Sequence, residues 1–238
     1  MSDRQELFEK RILISPSLIS VCDLCNIESC VREIREAGIE MLHVDILDGY
    51  FSPSMPLGLD TVRALRRKTD IFFDVHLMAV RNDFFLEELV DMGADQIVFH
   101  AETEAHIDKQ LNYLHSHGVR AGLALKPATS LSVLEYSLEK CDVILQMLIN
   151  PGFAQIKGEK QIPYADRKIR DIRRMITGQG LSTKLILDGR ISMQNIEDYG
   201  PEGIADIFVT GSTCLDRNDL AGSVKRLLEK RRELLGET

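Results

Sequence analysis

Ala37-Gly38-Ile39-Glu40-Met41-Leu42-His43-Val44-Asp45-Ile46 carries the pattern on which the fold turns. An amphipathic segment closes on a glycine, and a short apolar run (41–46) begins just after it. Met92-Gly93-Ala94-Asp95 repeats that punctuation before the run 96–100, and Gly118 stands before another at 120–125. Glycine in these places fits a left-handed helix C-cap. Extending the rhythm in both directions gives eight apolar runs, at 12–18, 41–46, 71–77, 96–100, 120–125, 143–147, 184–187 and 207–210. They are rich in Val, Ile, Leu and Phe, as strands buried on both faces are. Helix-length patterns follow them at 27–37, 60–68, 84–92, 105–117, 131–139, 164–176, 193–199 and 220–235. Eight strand–helix units predict an α/β fold, a single (β/α)8 TIM barrel over residues 1–238. An open doubly wound sheet is the competing arrangement. The count of eight and the lack of Gly-x-Gly-x-x-Gly after the first run favour the barrel.

Composition narrows the function. The chain has 238 residues, 44% hydrophobic and 28% charged, and its formal charge is −8. An acidic chain has no general attraction for a phosphate backbone, so nucleic acid is not an expected partner. No apolar run reaches the roughly 18–20 residues that span a bilayer, so no membrane partner is expected. Residues 1–10 are polar and charged, without an apolar signal segment. The five cysteines do not suggest a disulfide framework. The expected location is the cytoplasm, with thiols reduced. Cys22-x-x-Cys25 with Cys30 lacks a second ligand pair at metal spacing and reads as a loop and helix start.

The informative residues are polar ones inside apolar runs. His43 and Asp45 are two apart, so on a strand they share one side, while Leu42, Val44 and Ile46 face the other. They are expected to point into the barrel near its upper end. His76 ends the third run in Phe73-Asp74-Val75-His76-Leu77-Met78, and Asp188 ends the seventh in Leu185-Ile186-Leu187-Asp188. Asp48-Gly49 reads as a turn. Two imidazoles and two carboxylates in one barrel mouth suit a divalent cation such as Zn2+, Mn2+, Fe2+ or Co2+. Burying two carboxylates costs several kcal/mol unless a cation or strong partners offset it. The pair also suggests chemistry: one Asp removes a proton from carbon and the other delivers one, while a cation polarises the carbonyl. If the two acids flank the carbon on opposite faces, the outcome is inversion.

These residues, in this order, resemble the ribulose-phosphate 3-epimerase family. The resemblance runs from Ser15-Pro16-Ser17-Leu18 to Gly211-Ser212. Its most specific parts are the stretches 43–49 and 74–78 and Asn150-Pro151-Gly152-Phe153, with 99–102 and 127–129 in support. It implies a ribulose-phosphate-binding barrel and one divalent metal, zinc first, held by His43, Asp45, His76 and Asp188. It implies that Asp45 and Asp188 exchange the roles of proton acceptor and donor, and that Ser17 contacts substrate. Met78 and Met147 match methionines beside the reacting enediolate, and Leu47 stands where the family has a third. Gly152 lies in a loop that closes over substrate. The implied partner is a small phosphorylated ketose, and the implied assembly is a homo-oligomer, a dimer or hexamer.

The phosphate end departs from the family. Loops after the seventh and eighth strands and a helix N-terminus often hold phosphate in such barrels. Gly211-Ser212-Thr213 fits that role. The family's Asp-Gly-Gly reads Asp188-Gly189-Arg190 here, so Arg190 clamps the phosphate, narrows the pocket or is a solvent-exposed loop residue. After Phe153 the family's Gly-Gly-Gln is replaced by Ala154-Gln155, and a longer loop carries Lys157 and Lys160. Lys126 adds another candidate anion contact. D-Ribulose 5-phosphate to D-xylulose 5-phosphate is the expected reaction. D-Allulose 6-phosphate to D-fructose 6-phosphate is the alternative, because allulose-6-phosphate 3-epimerases share Gly-Phe-Ala, a non-Gly residue after Asp-Gly, Asp23-Leu24 and Glu102-Thr103. A non-catalytic sugar-phosphate-binding barrel ranks below both, since a binder has no need of paired proton-transfer groups. A decarboxylase-like barrel would need a Lys in the third strand, which has none. His100 and Glu102 read as structural residues or as support for a ligand, Asp74 as a residue that orients one.

Overall fold

The structure is a computed structural model and describes residues 2–152, 156 and 158–237. The eight strands are β1 Leu13–Pro16, β2 Met41–Leu47, β3 Phe72–Met78, β4 Gln96–His100, β5 Arg120–Leu125, β6 Val143–Met147, β7 Lys184–Asp188 and β8 Ile207–Thr210. All pairings are parallel, in the order β1-β8-β7-β6-β5-β4-β3-β2. A parallel bridge between Ser17 and His43 joins the two ends of that order. The result is a single (β/α)8 TIM barrel, as the alternating pattern predicts.

The helices are α1 Ser2–Glu9, α2 Leu18–Val21, α3 Ile27–Glu36, α4 Leu59–Arg66, α5 Asn82–Met92, α6 Ile107–Ser116, α7 Ala165–Gly178, α8 Met193–Tyr199 and α9 Leu220–Leu235. Each long helix buries one stripe against the barrel, as α7 does with Ile169, Ile172 and Ile176. Strand residues alternate between two cores. Leu42, Val44 and Ile46 join the layer beneath the helices, whereas Met41, Phe72, Val98, Val143, Leu145 and Ile186 fill the barrel. Fully burying each such side chain contributes about 1.5–3 kcal/mol. Gly93 takes φ +86° where α5 ends, a conformation that carries the chain sharply into β4.

Three local features differ from the sequence reading. The pattern at 131–139 forms two 3-10 turns, Leu131–Leu134 and Leu138–Lys140, in place of a helix. Serines explain this: Ser130 Oγ accepts from Ser132 N, and Ser137 Oγ donates to Val133 O, so side chains compete with the helical ladder. The N-terminal segment is helical, and its Leu7 and Phe8 join the barrel-interior cluster at the lower end. The Arg120 guanidinium stacks on the Phe8 ring at 4.0 Å.

Cys22 and Cys30 form a disulfide between α2 and α3, which corrects the expectation that all thiols are reduced. The free cysteines are Cys25, Cys141 and Cys214. Thiol titration of the denatured, unreduced protein is therefore expected to find three thiols, and five after reduction. Five without reduction would contradict the bridge. No helix among the described residues is long and apolar enough to cross a membrane.

Candidate active site

The strand parity dictates what meets at the C-terminal mouth. His43 and Asp45 come from β2, His76 from β3 and Asp188 from the end of β7. One ligand atom from each lies within 4.8 Å of the others. His43 Nε2 is 3.4 Å from Asp45 Oδ1 and 3.9 Å from Asp188 Oδ2, while His76 Nδ1 is 3.5 Å from each of those oxygens. Both imidazoles are fully buried, and these two nitrogens have no hydrogen-bond partner among the described residues. Buried, unpartnered nitrogens turned toward two carboxylates are what a divalent cation would satisfy, and the N2O2 donor set suits the borderline metals.

Other residues hold the ring orientations. Asp74 Oδ2 accepts from His43 Nδ1 at 2.8 Å, and Asp74 also accepts from Ser15 Oγ (3.1 Å) and Gln96 Nε2 (2.7 Å). Asp74 thus orients His43 on the neighbouring strand, which leaves His43 Nε2 facing the mouth. Burial works against ionised groups here, but mutual charge wins. Burial alone would lower His43, yet Asp45 and Asp74 raise it well above its ordinary value. Burial alone would raise Asp45, yet His43 and His76 hold its carboxyl far below the usual range. Burial of His100 pulls its pKa down to about 4 despite its bond to Glu102. Glu102 is held at about 2: burial opposes this, but His100, Thr129 and the Lys126 N–H outweigh it.

Above these groups opens a cavity of about 480 Å³. Ser17, Asp45, Met78, Met147, Gly152, Asp188, Gly189, Arg190, Gly211 and Ser212 all line it. Leu47, Ile149 and Val209 complete an apolar wall with the two methionines. Ser17 Oγ donates to Asp45 Oδ2 at 2.9 Å, so this serine also steadies a carboxylate. Asp48 forms the expected turn, accepting from Tyr50 N and Phe51 N at 2.8 Å each. Its other oxygen accepts from Val80 N, which ties two rim loops together.

Two arginines line the cavity, of which the sequence reading found one. Arg190 lines the cavity with φ +52° and donates to Ile156 O at 2.9 Å, across to the loop after β6. Gly189 is required beside it, because a Cβ there would stand 2.8 Å from Ile149 N. Arg217 also lines the cavity and donates to Ser20 O (3.0 Å) and Ile19 O (3.1 Å). No motif marks Arg217; its place five residues after Ser212 is the only available signal. After β8 the chain makes a single turn, with Cys214 N and Leu215 N both donating to Gly211 O, before α9 starts at Leu220. The helix thus starts where the pattern at 220–235 places it, eight residues beyond Ser212. Lys126 does not line the cavity; its ammonium sits 4.1 Å from the Phe51 ring centroid. Lys160 is exposed, and Phe153, Ala154, Gln155 and Lys157 lie outside the described residues.

Lys168 supports the mouth from α7. Its buried Nζ donates to Lys126 O (2.9 Å), Pro127 O (2.7 Å) and Thr129 O (2.8 Å), so one ammonium pins the loop after β5. Lys168→Met leaves three carbonyls without their donor. It is expected to lower stability by about 3 kcal/mol, measured by urea unfolding. A change under about 0.5 kcal/mol, the range of an indifferent surface site, would contradict that role.

Comparisons with known proteins place the chain in a family. Residues 13–215 match the family model described as "Ribulose-phosphate 3 epimerase family". The chain is 34% identical over 229 residues to "Ribulose-phosphate 3-epimerase" of Escherichia coli (strain K12), covering 96% of this chain and 98% of that one. It is 33% identical over 234 residues to "Ribulose-5-phosphate-3-epimerase, chloroplastic" of Arabidopsis thaliana, covering 97% and 82%. Among solved structures it resembles tryptophan synthase subunit alpha from Legionella pneumophila, with a TM-score of 0.61 at 14% identity over 99% and 98% of the two chains. That last likeness concerns the fold alone. The similarity to named epimerases spans nearly the whole chain. The chain belongs to the ribulose-phosphate 3-epimerase family and is an isomerase.

Proposed function

We propose that the protein inverts C3 of a ketose phosphate, D-ribulose 5-phosphate to D-xylulose 5-phosphate, by proton transfer through Asp45 and Asp188. The observation that carries this is the pair of carboxylates on β2 and β7, reaching one cavity beside two unpartnered imidazole nitrogens. Asp45 takes the proton from C3, and the C–H electrons form the enediolate. Asp188 returns a proton to the opposite face, and the roles exchange in the reverse reaction. His43, Asp45, His76 and Asp188 would hold the divalent cation, zinc first, with iron, manganese or cobalt as alternatives. When bound, that cation polarises the carbonyl beside C3 and so acidifies the C3 hydrogen. Leu47, Met78, Met147 and Val209 keep water from the enediolate, while Ser17 fixes Asp45. Gly189, Arg190, Gly211 and Ser212 form the phosphate end, with Arg217 beside them; Gly152 belongs to the covering loop.

The second reading, D-allulose 6-phosphate to D-fructose 6-phosphate, is favoured by Arg190 in place of a bare glycine. Leu24, also shared with that branch, lines the cavity. Following the C3 hydrogen by NMR in deuterated water with both substrates tests the assignment. The expected result is exchange with both and a higher kcat/KM for the pentulose phosphate. A higher value for the hexulose phosphate would establish the second reading, and no exchange with either would leave only a binding barrel. Arg190→Gly is expected to raise KM about 10- to 100-fold with kcat little changed, the loss of one charge-assisted contact. An unchanged KM would remove Arg190 from the phosphate end.

A further inference from the structure

Behind His76 runs a chain of hydrogen bonds that the epimerisation chemistry does not use. His76 Nε2 lies 2.9 Å from His100 Nε2, and His100 Nδ1 lies 2.9 Å from Glu102 Oε2. The other Glu102 oxygen accepts from Lys126 N at 2.7 Å and from the Thr129 hydroxyl. Both histidine rings are fully buried, so no solvent exposure offers either ring another partner.

The positions of the protons follow from donor and acceptor capacity. Both Glu102 oxygens accept, so His100 Nδ1 is the donor toward it. A neutral imidazole has one N–H, which leaves His100 Nε2 as an acceptor. Two nitrogens 2.9 Å apart share one proton, so that proton belongs to His76 Nε2. In neutral His76, Nδ1 then carries the lone pair, and among the described residues it is the nitrogen without a hydrogen-bond partner, 3.5 Å from Asp45 and Asp188. A free imidazole has no such enforced choice between its nitrogens.

We propose that Glu102 and His100 are positioning residues that set the tautomer of His76, keeping its Nδ1 able to bind a cation. This deepens the proposed metal reading and rests on it. The element behind the relay is rigid, because Lys168 clamps the loop that supplies the Lys126 N–H and the Thr129 hydroxyl. Asp74 does the same for His43 in one step. The site is thus set from behind on both imidazoles, over one bond on one side and two on the other.

Glu102→Gln tests this, because it alters the order of donors with little change in size. The single Gln oxygen would be claimed by Lys126 N and Thr129 Oγ, turning its NH2 toward His100. His100 must then accept at Nδ1 and donate at Nε2, which places the His76 proton on Nδ1, facing the site. In zinc-loaded wild type, long-range 1H–15N correlation is expected to show His100 protonated at Nδ1. In Glu102→Gln, zinc affinity by chelator competition is expected to fall about 10- to 100-fold, with the His100 proton moved to Nε2.

Zinc bound normally by wild type with His100 protonated at Nε2 would overturn the relay and leave the metal reading standing. Undiminished zinc affinity in a folded Glu102→Gln protein would do the same. The wild-type measurement decides the matter even if the variant does not fold. Wild type that takes up neither zinc, manganese nor cobalt would remove the metal reading, and the relay with it.

Discussion

Asp45→Asn is expected to lower kcat about 10⁴-fold, the upper range for loss of a positioned acid–base group, while the barrel stays folded. Asn keeps the shape and can still accept from Ser17 Oγ, so the loss is chemical. It removes the charge of a carboxylate whose Oδ2 lies 2.9 Å from Ser17 Oγ and whose Oδ1 lies 3.4 Å from His43 Nε2 and 3.5 Å from His76 Nδ1. Asp188→Asn is expected to produce a loss of the same order. The two variants differ in one readout. Each keeps one carboxylate, so each is expected to exchange the C3 hydrogen of only one epimer with deuterated water, Asp45→Asn of the xylulose and Asp188→Asn of the ribulose phosphate. Turnover within tenfold of wild type in either variant would break the two-carboxylate assignment. Exchange of both epimers by a single-carboxylate variant would break the opposite-face assignment.

Removing divalent cations with a chelator is expected to abolish turnover reversibly, and adding zinc, manganese, cobalt or ferrous iron is expected to restore it to graded levels. The reason is the cost of holding these groups together without a cation. Two carboxylates and two imidazole nitrogens converge within 4.8 Å in a largely buried mouth, and both nitrogens lack a hydrogen-bond partner among the described residues. A ligand that binds only the folded state stabilises it by about 2.7 kcal/mol at a hundred times its dissociation constant. At this chain length that corresponds to a rise in Tm of about 5–10 °C. Full turnover in protein shown by elemental analysis to hold under a tenth of an equivalent of metal would refute the prediction. So would a Tm indifferent to the metals.

The strands were legible because the signal is local. Runs of Val, Ile, Leu and Phe spaced by glycine-closed amphipathic segments give eight strands without any long-range information, and 96–100, 120–125, 143–147 and 207–210 coincide with β4, β5, β6 and β8. The 131–139 segment failed because apolar spacing was read without its serines, whose hydroxyls bond to the nearby backbone. Leu7 and Phe8 were passed over because two apolar residues in a charged segment have no periodicity. Cys22 and Cys30 were not paired, since a bridge depends on how α2 is set against α3.

The candidate site divides along the same line. The two-residue strand period alone put His43 and Asp45 on one face and left Leu42, Val44 and Ile46 on the other, because pleating fixes the face of every side chain. It fixes neither strand register nor ring orientation. Register sets His43 opposite Asp74 and Asp45 opposite His76, and so decides that Asp74 serves the histidine of the next strand. The folded barrel alone brings His100 to His76 and Arg217 to the cavity wall. Those contacts join residues that no periodicity relates, so only the closed sheet and the loops packed on it could decide them.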